Sequence, residues 1–479
     1  MDARSDKQHF PLCVDLDGTL IAADSLWEGL AVLLIRQPWL ICAAVLWAMR
    51  GKHVLKREVA ARCGRTAEQW PYRPEVLERI AAERTAGRQV WLVTGAAAST
   101  AQDIAAHLGL FDRVLHSTDE INLTSDRKRD LLIRECGEGG FDYAGNSRDD
   151  IPLFDAARRT IMVAPDRSAR RWPGRGSAEL LAVRAVSLLA PFKAIRVHQW
   201  LKNLLLGVPL VLNHELDNLP HMLAVVVAFF SFSFLASAVY VINDIADLSN
   251  DRMHPRKRLR PLASGDVSIL LAAAMTVALI LASLGLASLL PPAFWGVMVV
   301  YGLVTTTYTL LLKRKLLVDV FTLAGLYTLR ILAGAAATGV ALSFWLLAFS
   351  IFFFLSLALV KRYVELSEQI VEEGSKLVGR GYLSSDRDMI GQAGIASAFS
   401  AALVLALYLD SAQISSMYTH PWLLWPLCPL ILYMQIRIWV LASRSLMHDD
   451  PVVFIMRDWR SQLVMMAGVA LVMAAAVQP

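Results

Sequence analysis

Residues 221–251, HMLAVVVAFFSFSFLASAVYVINDIADLSND, decide the architecture of this chain. Residues 221–242 contain no Asp, Glu, Lys or Arg. A run of about twenty apolar residues is long enough to cross the hydrocarbon of a bilayer as a helix. The run then ends in Asn243, Asp244, Asp247 and Asp251. Asn243, Asp247 and Asp251 recur every four positions, so on a helix they share one face. Ionisable groups at membrane level are expensive and usually functional. Asn and Asp oxygens on one face suit Mg²⁺, which in turn suits a diphosphate. His254, Arg256, Lys257, Arg258 and Arg260 follow, then Pro261-Leu262-Ala263-Ser264-Gly265. Cations here can hold phosphate oxygens; membrane topology alone would also place them.

Working outward, nine segments read as spans, near 195–212, 221–242, 268–289, 293–312, 317–338, 343–362, 389–409, 422–443 and 461–478. The loops 213–221, 290–292, 339–342 and 410–421 hold no Lys or Arg. The other loops and their margins hold Arg252, Arg256, Lys257, Arg258 and Arg260; Lys313, Arg314 and Lys315; Lys361, Arg362, Lys376, Arg380 and Arg387; and Arg444, Arg457 and Arg460. Positive residues mark the cytoplasmic side, so the chain enters from the cytoplasm and ends outside. The whole chain has 479 residues, more than one ordinary domain, with 56% apolar and only 19% charged residues. Its charges are dense to about residue 200 and sparse beyond, as in a soluble domain followed by a membrane domain. The net charge of +5 does not point to nucleic acid, because the basic residues sit between apolar segments. Cys13, Cys42, Cys63, Cys136 and Cys428 form no CxxC pair and no metal-ligand spacing, so they read as structural thiols in a reducing compartment. The start MDARSDKQHF reads as no secretory leader.

The N-terminal part alternates strand-like and helix-like stretches: strands at 11–20, 89–95, 112–117 and 141–145, and an amphipathic helix at 75–87. This predicts a parallel α/β sheet. Residues 29–49 are nearly long enough to span, but Arg36-Gln37-Pro38 interrupts them. Two readings stay open: a helical hairpin in a cap, or a hairpin that dips into the bilayer surface. Asp15-Leu16-Asp17-Gly18-Thr19 follows an apolar strand. Two carboxylates two residues apart at a strand end can divide the work of attacking phosphorus and moving the leaving-group proton. A bound Mg²⁺ would neutralise the phosphate. Thr94-Gly95 closes a second strand, Lys128 follows a loop, and Gly145-Asn146-Ser147-Arg148-Asp149-Asp150 offers oxygen ligands.

These four stretches, over about residues 10–165, resemble the motifs of the haloacid dehalogenase superfamily. The resemblance implies Asp15 as nucleophile, Asp17 as acid/base, Thr94 and Lys128 as phosphate binders, and Asp15, Asp17, Asn146 and Asp150 around the metal. It also implies a helical cap at about 21–88. The fourth motif usually opens Gly-Asp and here reads Gly145-Asn146, an uncharged ligand for which Asp149 can compensate. The NDxxDxxxD pattern with its Arg-Pro-Leu-Ala-Ser-Gly run is similar to the first motif of the UbiA superfamily. That implies a second motif near Tyr308, Lys313, Arg314 and Asp319, whose usual second Asp is here Leu323. Arg196–Asn203, Asp319–Ala336 with Arg330, Lys361–Leu366, Gly381-Tyr382 and Asp449–Phe454 followed by Arg457-Asp458 look like the decaprenyl-phosphate phosphoribosyltransferase branch of that superfamily.

The expected organisation is therefore a phosphatase-like domain at 1–180 and an all-α membrane transferase at 181–479, in a bacterial inner membrane with both active sites facing the cytoplasm. The branch implies phosphoribosyl pyrophosphate as donor and a polyprenyl phosphate as acceptor. Asn243, Asp247 and Asp251 would hold Mg²⁺ and the leaving pyrophosphate. Lys202, Asn203, Asp244, Lys257, Arg258, Arg260, Tyr308, Lys313, Asp319, Arg330, Lys361 and Arg362 would bind substrate. The phosphatase-like domain would then remove the 5-phosphate. Two rivals remain: an aromatic prenyltransferase of quinone synthesis with an attached phosphatase, and a membrane binding or transport protein with an inactive soluble domain. Lipid length and oligomeric state are open.

Overall fold

The computed structural model describes residues 10–118, 122–184, 187–368, 380–447 and 450–476. Residues 1–9, Lys376 and Asp449 lie outside the described residues. The chain divides into two compact units, one of Met1–Ile195 with Tyr240–Thr276, the other of Arg196–Val239 with Val277–Pro479.

The first unit is built on a six-stranded sheet: β1 Leu12–Val14, β2 Val90–Ala97, β3 Arg113–Ser117, β4 Asp142–Gly145, β5 Arg159–Val163 and β6 Glu179–Leu181. Their spatial order is β3-β2-β1-β4-β5-β6, and every pairing is parallel. Side chains alternate across a strand, and both faces here are apolar. Leu12, Val14, Val90 and Leu92 pack with Ile80, Ala101 and Ile104. Cys13, Trp91, Val93 and Tyr143 pack with Leu132, Leu153 and Phe154. The helices are α1 Ser25–Arg36, α2 Ile41–Arg50, α3 Lys52–Cys63, α4 Pro74–Thr85, α5 Ala98–Leu108, α6 Asp126–Cys136, α7 Ile151–Ala156 and α8 Ala190–Ala194. The break expected at Arg36-Gln37-Pro38 separates α1 from α2, with Gln37 pushed out of helical geometry (φ −137°, ψ 72°), as a residue before proline is. The expected strands at 89–95, 112–117 and 141–145 match β2, β3 and β4. The stretch 11–20 is a strand only to Val14, and the Asp15–Thr19 run is the turn that leaves it.

In chain order there follow α9 Val208–Leu212, α10 Leu219–Ala246, α11 Leu248–Met253, α12 Ile269–Ala287, α13 Pro292–Leu310, α14 Val318–Thr338, α15 Phe344–Glu368, α16 Arg387–Leu409, α17 Ala412–Met417, α18 Leu427–Ser443, α19 Pro451–Arg457 and α20 Trp459–Ala476. The division between units falls inside α10 and α12. Among the described residues eight helices are long and apolar enough to cross a membrane, not nine. The difference is the expected span at 195–212. It is broken into a 3₁₀ helix at Val197–Gly207 followed by the short α9, and opens on Arg196 in the left-handed region (φ 53°). The second unit packs α14 against that 3₁₀ segment so closely that a Cβ on Gly334 would lie 2.0 Å from the Leu206 carbonyl oxygen. Only glycine permits that approach.

Candidate active sites

In the first unit the sheet delivers chemistry at the carboxyl ends of its central strands. Asp15 follows β1, Thr94 and Gly95 lie in β2, and Asn146 follows β4. The Lys128 ammonium on α6 sits 2.7 Å from Asp15 Oδ1 and donates to the Tyr143 hydroxyl at 3.0 Å. Tyr143 in turn donates to Asp150 Oδ1 at 2.8 Å. Asp150 Oδ2 accepts from the backbone N–H groups of Asn146 and Ser147, both at 3.0 Å, and from the Ser147 hydroxyl at 3.1 Å. Asp150 is therefore held by its own loop, and both it and Asp149 line the open cavity. Asp17 accepts from the Ser25 N–H at 2.8 Å and the Ser25 hydroxyl at 3.1 Å. Thr94 accepts from the Ala96 N–H at 3.0 Å, and Gly95 rather than Thr94 faces the cavity. Gly18 takes φ +77°, and a Cβ there would meet the Asn146 amide.

Burial raises the Asp15 pKa to about 7; Lys128 opposes the rise and Asp150 adds to it. Burial, then Asp24, raises that of Asp17 to about 6. Burial alone would lower the Lys128 pKa, but Asp15 and Asp150 hold it above its ordinary value. These groups line a cavity of about 410 Å³ together with Lys52, Lys56 and Arg73 from the cap side and Gly265, Ser268, Ile269 and Leu270 at the start of α12. The donors in it that could hold a metal include the oxygens of Asp15, Asp17, Asn146, Asp149 and Asp150. Among the described residues no three His, Cys, Asp or Glu side chains are gathered tightly enough to hold a metal alone. Mg²⁺ takes one or two carboxylates and completes its shell with water and substrate phosphate.

The same unit carries the acidic run. The Asp247 N–H donates to the Asn243 carbonyl and the Asp251 N–H to the Asp247 carbonyl, each at 2.9 Å. The four-residue backbone spacing therefore continues across the junction of α10 and α11. Arg260 reaches Asp251 Oδ2 at 2.5 Å and Asp244 Oδ1 at 3.3 Å. Lys257 and Arg258 are exposed. Arg252 is buried and pairs with Glu28 of α1 through both guanidinium ends, at 2.8 and 3.0 Å. Arg65 reaches the same carboxylate at 2.7 Å.

In the second unit the cations are partnered. Lys202 lies 2.7 Å and Lys361 3.4 Å from Asp450 Oδ2, while the Tyr327 hydroxyl donates to Asp450 Oδ1 at 3.0 Å. Arg330 donates to Asn203 Oδ1 at 2.9 Å and is ringed by Phe232, Tyr301 and Tyr327, each centred 5.4 Å from the guanidinium. Arg362 and Asp319, both wholly buried, form an ion pair at 2.6 Å. The Tyr382 hydroxyl donates to Asp319, and Arg362 also pairs with Glu365. Arg380 donates to the Tyr308 hydroxyl at 3.1 Å and the Lys313 carbonyl at 3.3 Å.

The family model of the UbiA prenyltransferase family matches residues 204–462. The chain belongs to the UbiA prenyltransferase family. Residues 12–155 match the model of the haloacid dehalogenase-like hydrolases, so a HAD-like domain precedes the UbiA domain. The chain is 36% identical over 453 residues to the Sinorhizobium fredii protein named "Uncharacterized protein y4nM", covering 94% of this chain and 87% of that one. It is 32% identical over 279 residues to Nodulation protein NoeC of Azorhizobium caulinodans, covering 58% of this chain and 90% of NoeC. It is 40% identical over 178 residues to the decaprenyl-phosphate phosphoribosyltransferase of Mycobacterium tuberculosis, covering 36% of this chain and 59% of that enzyme. This is a multi-pass membrane protein that joins a UbiA-type transferase to a HAD-type phosphatase domain.

In the HAD-like domain the structure brings Asp15, Asp17, Lys128, Asn146 and Asp150 to one cavity. In the UbiA domain it joins Lys202 to Lys361, Asn203 to Arg330, and Asp319 to Arg362. Sequence reasoning missed Tyr143, Lys56 and Glu28 altogether. Lys56 donates to the Gly95 carbonyl and to Asn122 Oδ1, yet sits in a cap helix without any motif. Asp450, Tyr382 and Glu365 fell in stretches that carried the family resemblance, which was the available signal, but their roles as partners of buried cations need the fold.

Proposed function

We propose that the UbiA domain transfers 5-phosphoribose from phosphoribosyl pyrophosphate to a polyprenyl phosphate, and that the HAD-like domain removes the 5-phosphate to leave a lipid-linked ribose. The cavity carries this reading. One wall presents Asp15, Asp17 and Lys128, and another presents Ser268, Ile269 and Leu270 from the beginning of a membrane-spanning helix. A phosphatase pocket lined partly by such a helix suits a phosphomonoester borne on a membrane lipid. The relatives named phosphoribosyltransferase support the donor and acceptor classes.

In the transfer, an oxygen of the lipid phosphate attacks C1 of the ribose as the bond from C1 to the pyrophosphate oxygen breaks. The attacking group is already an anion and needs no base. Lys202, Lys361, Arg362, Arg330 and Asn203 supply the donors that bind it, with Tyr308, Lys313 and Asp319 supporting them. Asn243, Asp247 and Asp251 would hold Mg²⁺, with Asp244 orienting Arg260. Arg260, Lys257 and Arg258 take the departing negative charge. Mg²⁺ supplies charge neutralisation of the leaving pyrophosphate and of the phosphoryl group at the second site.

In the hydrolysis, ionised Asp15 attacks phosphorus while the bond to the ribose 5-oxygen breaks. Asp17, which burial keeps partly protonated near neutrality, gives that oxygen its proton. Asp17 then takes the proton of the water that releases phosphate from Asp15. Lys128 holds Asp15 and the phosphoryl oxygens, and the Thr94 hydroxyl, by accepting from the Ala96 N–H, fixes the end of β2 that presents Gly95. Asn146 and Asp150, with Asp149, would supply the remaining metal oxygens.

Basic residues lie in alternate loops between the eight spans. The 197–212 segment can still cross as a ninth, because 3₁₀ helix rises about 2 Å per residue. We propose a bacterial cytoplasmic membrane with both active sites inside and the C-terminus outside, a reading the alternation of basic loops supports.

The test is to give the purified protein Mg²⁺, phosphoribosyl pyrophosphate and a polyprenyl phosphate and to identify the lipids by mass spectrometry. Lipid-linked ribose from the unaltered protein, and lipid-linked phosphoribose from Asp15→Asn, are expected. No ribosylated lipid at all overturns the transferase assignment, and full dephosphorylation by Asp15→Asn overturns the phosphatase assignment.

A further inference from the structure

We infer that α2 of the HAD-like domain is an interfacial membrane helix whose outer face lies in the lipid of the bilayer surface. Residues Pro38–Met49 contain no charged side chain, and Arg36, Arg50 and Lys52 flank them. The helix has two unlike faces. Leu40, Ala44 and Trp47 turn inward onto Leu26, Leu33, Leu55 and Val59 of α1 and α3. Ile41, Val45 and Met49, one turn apart, point outward with Leu46 and Trp39 beside them. These are 56%, 56%, 78%, 56% and 71% exposed. Four large apolar side chains on one short helix, with Trp39 on the 3₁₀ turn before it, form a patch that a soluble protein rarely leaves to water.

The position of the hairpin selects the occupant. Within the same compact unit, Val32 of α1 is buried against Val241 and Ile245 of α10 and Ile269 and Ala272 of α12, with Ile35 packed beside them. Both partners are membrane-spanning helices. The Arg36 guanidinium donates to the Ala246 carbonyl at the end of α10, at 3.4 Å. The hairpin is thus held at the level where two spans leave the membrane. Arg36, Arg50 and Lys52 at its ends are placed to meet anionic headgroups, and Trp39 is the aromatic that favours the headgroup boundary. A helix of this kind lies in the plane of the interface with its apolar side about 5–10 Å deep. This assignment needs neither active site to be functional.

The test uses the full chain in native membranes. A photoreactive diazirine amino acid replaces Val45, Met49 or, as a control on the exposed side of α3, Arg57. After irradiation, adducts are identified by mass spectrometry. Phospholipid adducts at 45 and 49, at least tenfold above those at 57, are expected. Covalent dimers of the chain at 45 or 49, or water adducts alone at both, overturn the assignment.

Discussion

Asp15→Asn should stabilise the HAD-like domain, and the gain should grow with pH. Burial raises the Asp15 carboxyl from its ordinary 3.8 to about 7. Below pH 3.8 both the folded and unfolded chains hold the proton, so the group has no net effect relative to that reference. Between 3.8 and about 7 the folded chain keeps a proton that the unfolded chain releases. Stability then falls as pH rises, by about 1.4 kcal/mol per unit. Above 7 the loss is complete. Some three units give a ceiling of about 4 kcal/mol. Because Asp15 shares its field with Lys128, Asp150 and Asp17, about half of that, ~2 kcal/mol, is expected for the isolated substitution. Asparagine mimics the neutral acid and can still accept from Lys128. The assay is hydrogen exchange of the β1 and β4 amides in the full chain, in chelator without Mg²⁺, comparing variant and parent at pH 5, 6.5 and 8. Added protection should be small at pH 5 and largest at pH 8. A variant that is less protected at pH 8, or a difference that is flat with pH, refutes the reasoning that the cost of burying the Asp15 charge outweighs its pairing with Lys128.

Asn146→Asp adds a charge beside Asp15 and Asp17, so the Mg²⁺ concentration giving half-maximal hydrolysis of an aryl phosphate should fall by about tenfold or more; an unchanged value removes Asn146 from the metal shell. Arg362→Met leaves Asp319 wholly buried without its partner and should cost about 3–5 kcal/mol, whereas Asp319→Asn with Arg362→Met should recover most of the loss. Thermal unfolding of the detergent-solubilised chain reads this, and a double variant no more stable than the single one counts against the pair. Lys202→Met should raise the KM for polyprenyl phosphate at least tenfold while leaving aryl-phosphate hydrolysis unchanged; equal loss of both would mean that Lys202 is structural.

What the sequence made legible was whatever is local. Asp15 and Asp17 stand two residues apart at a strand end, and Asn243, Asp247 and Asp251 keep helical spacing through a junction. Pro38 breaks a hairpin because it must. Contacts between distant positions were not legible. Arg252 reads as one more topological cation, and only the fold shows it buried on Glu28, 224 positions away. Lys202 and Asp450 meet across 248 positions. The 195–212 segment has the hydropathy of a span, but hydropathy does not register the prolines at 191 and 209 that bracket its 3₁₀ turns.

The substitution of Leu323 for an expected acid is consistent with the rest of the second unit. Asp319 has no acidic partner one turn on, and its carboxylate is engaged by Arg362 and Tyr382. The start of α14 therefore offers no pair of free carboxylates for a second metal. An ion pair with no exposed surface is costly to build and is kept where its charge is used. If the acceptor were a neutral aromatic, nothing in its binding would call for buried cations. A phosphate-bearing substrate does call for them. Lys202 and Lys361 converge on the single carboxylate of Asp450, which leaves the trio with a formal surplus of one positive charge. Tyr327 holds that carboxylate in place and so fixes both ammonium groups. A phosphate arriving beside them would share the donors without their reorganising, which is the preorganisation that makes anion binding effective in a low-dielectric site.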